Sequence, residues 1–140
     1  MPCIYEWNTD LDLLEIACTG RITRACILQA IDALEDCPKK IADRNEFRDL
    51  GGVREVAMDS DQMFNLAQLM RMSYLRAGHR KRVAFYAPSG PGRVIAGYMR
   101  DALDSLIHVR AEMFQNREAA MTFVAGGNAA DRLTRLLRLG

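Results

Sequence analysis

At 140 residues the chain has the length of one domain, enough to bury about two-thirds of the surface its unfolded form would expose, so a single core is expected. Nineteen Lys and Arg against 18 Asp and Glu leave a net charge of +1, which excludes the bulk field that draws a protein onto nucleic acid or an anionic membrane. No stretch approaches the roughly 18 apolar residues of a membrane span, so neither nucleic acid nor membrane is an expected partner.

The opening run from Met1 to Trp7 lacks a basic segment followed by an apolar one, which makes the cytoplasm the expected location. Cys3 to Trp7 is rich in β-formers, and Asn8-Thr9-Asp10 supplies turn chemistry. From Leu11 to Thr19, Leu14, Ile16 and Cys18 alternate with Glu15 and Ala17, so the two runs predict an antiparallel hairpin. After Gly20, Thr23 is placed to cap a helix whose Ile27, Ala30, Ile31 and Leu34 share a face, and Pro38 closes it. Asn45 to Leu50 alternates poorly but sits where an α/β pattern needs a strand, and Gly51-Gly52 is read as its end. Asp59 or Ser60 offers an N-cap to a long helix from about Asp61 to Ala77, with Gly78 as its stop. Lys81 to Ala87 predicts a strand, Gly92 to Leu106 a helix, Ile107 to Phe114 a strand and Arg117 to Val124 a short helix. Gly126-Gly127-Asn128 then separates a terminal helix, Ala129 to Leu139. The expectation is α/β: a five-stranded, largely parallel mixed sheet with helices on its faces and the first strand antiparallel, over residues 1–125, followed by a helical extension over 126–140. Ile16, Ile27, Ile31, Leu34, Leu66, Met70, Val83, Phe85 and Val109 are its expected core.

The order β-β-α-β-α-β-α-β-α resembles the SpoIIAA-like family of bacterial proteins, whose fold is shared with STAS domains and described alongside CRAL-TRIO lipid-binding domains. Asn45-Glu46-Phe47-Arg48-Asp49-Leu50 is similar to that family's third strand, which ends in Asp-Leu. Asp49-Leu50-Gly51-Gly52-Val53 followed by Asp59-Ser60 is similar to the STAS run Asp-Leu-Ser-x-Val then Asp-Ser-Ser-Gly. Val83 to Pro88, leading into the helix that holds Ala96-Gly97-Tyr98-Met99-Arg100, is the third likeness. The resemblance implies a phosphorylatable serine just before the second helix, where only Ser60 lies. Asp61 and Gln62 replace the second Ser and the Gly, and Asp61 would repel an added phosphate. Asp59 and Ser60 therefore have two readings, phosphoswitch or helix cap, and the cap is the commoner use of such residues.

Ser89, Gly90 and Arg93 stand at the end of a strand and the start of a helix, where α/β proteins bind anions, but neither phosphate-loop pattern is present and a plain turn accounts for them. His79-Arg80-Lys81-Arg82 is the densest basic run and reads as a solvated turn. His108 reads as structural, and Glu112 and Glu118 pair with no nucleophile. Cys3, Cys18, Cys26 and Cys37 show no metal-ligand spacing and are expected to be free thiols in a reducing compartment. No metal, no cofactor and no catalytic constellation is expected.

The second helix carries more apolar residues than one sheet face needs. Met63, Leu66, Ala67, Met70 and Tyr74 form the core stripe, which leaves Phe64, Leu69, Met72 and Leu75 for a second buried surface. Its cover is the terminal helix, a second subunit or an apolar ligand. The expected function is that of a non-enzymatic regulatory or scaffolding module with a protein partner, forming a homodimer through this helix; the competing expectation is a carrier of small apolar ligands.

Overall fold

The computed structural model describes residues 3–37 and 43–125. The predicted terminal helix and the Gly126-Gly127 hinge lie outside the described residues. Five strands form one sheet: β1 (Cys3–Asn8), β2 (Leu13–Ile22), β3 (Asn45–Val56), β4 (Lys81–Tyr86) and β5 (Val109–Phe114). Between them run α1 (Arg24–Glu35), α2 (Ser60–Ala77) and α3 (Gly90–Leu103), and α4 occupies 117–125. The strand order is β1-β2-β3-β4-β5, with β1 antiparallel to β2 and the other pairs parallel.

This order decides where the helices go. Three successive crossovers step in one direction across the sheet, and right-handed connections then place α1, α2 and α3 on the same face. Ile27 of α1, Leu66 and Met70 of α2, and Ile95 and Met99 of α3 accordingly share the main core with Val83 and Phe85 of β4. Among the described helices, only α4, which follows the last strand, reaches the other face, where Ala120 and Val124 pack on Leu13, Phe47 and Ala84. Adjacent residues of β4 thus serve opposite layers, as a strand covered on both sides requires.

Two glycine positions behave differently from the sequence expectation. Gly20, at φ 71°, carries β2 through a bulge to Ile22 instead of ending it. Gly51-Gly52 does not end β3, which continues to Val56 alongside β2. A Cβ on Gly52 would lie 2.8 Å from Cγ2 of Thr19, so the glycine serves close approach of two strands. The poor alternation of Asn45 to Leu50 also has a physical cause. Asn45, Phe47 and Leu50 are buried together with Glu46 and Arg48, so both faces are covered and one is charged.

Three further expectations are corrected. Cys3 and Cys18 are not free thiols: they sit directly opposite in the β1–β2 register, with Cα atoms 4.1 Å apart, and are joined as a disulfide, while Cys26 and Cys37 are free. The cytoplasmic expectation thereby loses its support from cysteine chemistry. The basic run at 79–82 is a solvated turn only in its first half: Arg80 is exposed ahead of β4, but Lys81 is buried and Arg82 is half-buried, its Nη1 donating to the Phe123 carbonyl. Ile31 and Leu34 are half-buried, whereas the other seven expected core residues are buried.

Candidate functional site

The site is built on α2. Asp59 opens the helix with a reciprocal cap: its Oδ1 accepts from the Gln62 N–H at 2.8 Å, and its own N–H donates to Gln62 Oε1 at 3.0 Å. Ser60 is the first helical residue and not the cap. Gly78, in the left-handed region at φ 69°, ends the helix with its N–H on the Tyr74 carbonyl. Met63, Leu66, Ala67, Met70 and Tyr74 are its buried residues, the stripe that helical periodicity predicts.

Phe64, Leu69, Met72 and Leu75 are on the outside, 54%, 45%, 44% and 47% exposed. At 100° per residue Met72 lies opposite the middle of the core stripe, and Leu69, Met72 and Leu75 form a ridge of three-residue steps. Among the described residues nothing covers it.

Three polar ties fix the helix that carries this ridge. At its inner C-terminal end, the Tyr74 hydroxyl donates to Glu46 Oε1 and accepts from Arg48 Nη2 at 2.8 Å. Glu46 also accepts from Arg48 Nε at 3.1 Å and, on Oε2, from Lys81 Nζ at 2.8 Å. All four residues are buried. Arg76 pairs with Glu35 of α1 at 2.7 Å, and Arg71 Nε donates to Ser105 Oγ beyond α3 at 2.7 Å. His108 holds the Tyr74 carbonyl at 3.1 Å through Nε2, a structural role.

The electrostatics of the buried cluster are those of a fastening. Burial by itself would raise the Glu46 pKa, but Lys81 and Arg48 beside it outweigh burial and hold it at about 2. Burial pushes Tyr74 well above the ordinary phenol range, with the Glu46 carboxylate acting in the same direction. At neutral pH the carboxylate stays charged and the phenol protonated, so neither is poised to exchange a proton. Sequence reading missed this cluster because its members lie on three elements. The signal available was the charged pair Glu46 and Arg48, two apart on one strand and therefore on one face.

The other candidates do not join the ridge. Ser89 precedes α3 without a side-chain capping bond, and Ser89 and Gly90 are exposed while Arg93 is half-buried. Gly92 faces the sheet, where a Cβ would stand 2.7 Å from the Leu50 carbonyl oxygen, so this turn is shaped by helix–strand packing. Beneath α1, Ile22, Ile27, Ile31, Leu34 and Met99 enclose a cavity of about 20 Å³ that Arg48 also lines. That volume accommodates one water. No group of three His, Cys, Asp or Glu able to hold a metal occurs among the described residues, and no described helix is long and apolar enough to cross a membrane. Compared with protein-family models and with curated proteins, the chain matches none.

Proposed function

We propose that the protein is a non-enzymatic, STAS-like regulatory or scaffolding module that acts through protein contacts at the outer face of α2, and that it forms a homodimer there. The observation that carries the reading is the outer apolar face of Phe64, Leu69, Met72 and Leu75, exposed on a helix fastened to α1, to the turn that follows α3 and to the sheet. Large apolar side chains gathered on one exposed face mark an interaction surface, whereas scattered ones do not. The element order β-β-α-β-α-β-α-β-α supports the STAS-like assignment. A carrier of apolar ligands needs a cavity of a few hundred cubic ångströms, and the space under α1 is a small fraction of that. A phosphoswitch at Ser60 has little support, because the helix start is already closed by Asp59 and Gln62 with Asp61 alongside.

Sedimentation at micromolar concentration tests the reading. The parent is expected to run as a dimer and Met72→Glu as a monomer, since two symmetry-related carboxylates would enter one apolar contact at a cost of several kcal/mol. A monomeric parent, or a Met72→Glu variant that stays dimeric, would overturn it. Met72 is exposed, so the substitution leaves the fold intact, and an unchanged melting temperature checks this.

A further inference from the structure

Two copies meeting through α2 can lie parallel or antiparallel, and the charges at the ends of the helix discriminate between them. Asp61 is exposed in the first turn and makes no ion pair or hydrogen bond among the described residues. Arg76 is exposed in the last turn and has one guanidinium nitrogen, Nη2, on Glu35. Both project from the side of α2 that carries the ridge. Asp59 is occupied by the cap and Arg71 is held by Ser105, so Asp61 and Arg76 are the two charges this face offers.

Resting on the reading above, we infer that the dimer forms by antiparallel, two-fold packing of α2 on α2 with the axis beside Leu69, and that Asp61 of each copy pairs with the partner's Arg76. At a rise of 1.5 Å per residue, Asp61 lies roughly 12 Å to one side of Leu69 and Arg76 roughly 10 Å to the other, so one two-fold axis brings both pairs into register. The same axis sets Leu69 against the partner's Leu69 and Phe64 beside the partner's Met72, so the apolar ridge closes on itself. Parallel packing would instead set Asp61 against Asp61 and Arg76 against Arg76, a repulsive arrangement at both ends.

Reciprocal charge reversal tests the register. Asp61→Arg places arginines at both positions of one chain, and Arg76→Asp places aspartates at both. Each variant alone is expected to dimerise roughly ten-fold more weakly than the parent, because two exposed ion pairs become two repulsions. An equimolar mixture of the two is expected to recover the parental dimer fraction as a heterodimer, which native mass spectrometry distinguishes by mass. Variants that dimerise like the parent, or a mixture that fails to recover, would overturn this register and leave the α2 contact standing. A parent that is monomeric at these concentrations would overturn the α2 contact itself.

Discussion

Glu46 shows how a single side chain can hold two layers of a protein together. It stands on β3, two residues from Arg48 on the same face, and accepts hydrogen bonds from Arg48, Lys81 and Tyr74. Replacing a buried pair with apolar residues is often neutral, but removing one partner leaves the others charged and dry. Glu46→Gln strands two buried cations in that way and is expected to lower unfolding free energy by about 3–5 kcal/mol in urea titration. A loss within 1 kcal/mol would mean that water or rearrangement solvates Arg48 and Lys81. The same residue explains why one stretch of sequence was hard to read. Charged residues are rarely buried, so Asn45 to Leu50 looks like a poor strand until its partners on α2 and β4 are known.

The helices were more legible than the strands because their ends carry local chemistry. Thr23 caps α1, Gly78 stops α2, and the buried stripe of α2 follows from its periodicity. Either Asp59 or Ser60 can cap by residue type, and the signal that separates them is Gln62, three residues after Asp59 where Ser60 has only Met63; Gln62 answers Asp59 in the fold. Asp59→Ala is therefore expected to cost about 1 kcal/mol, and Ser60→Ala less than about 0.5 kcal/mol, by thermal or urea melts. Equal losses would show that the cap is shared. The strands β2 and β3 ran past their predicted ends because glycine in a sheet can serve a bulge, as Gly20 does at positive φ, or a close approach of two strands, as Gly52 does, instead of breaking the strand. Pattern alone cannot separate these uses. The outer face of α2 was visible in the sequence as surplus apolar residues, while the polar ties that anchor the helix join segments far apart in the chain and became visible only in the fold.

For the molecule as a whole, the buried cluster predicts a pH dependence. The folded state lowers the Glu46 pKa from an ordinary 4.5 to about 2, so its contribution to stability is complete above pH 4.5 and disappears as pH falls toward 2. The amount is on the order of 3 kcal/mol. Urea titrations at pH 5, 4 and 3 should show the parent losing stability faster than Glu46→Gln across that window; parallel losses would assign the acid sensitivity to other carboxylates. The strand order carries a different consequence, one for assembly. Every strand pairs with the strand just before or after it in the sequence, so no segment has to be inserted between two that are already joined. The sheet can grow at one edge only, from β1 toward β5, each new strand docking on the last with its crossover helix laid down on the way. Such a chain closes a hairpin and then one crossover at a time, and its order of construction can follow its order of synthesis.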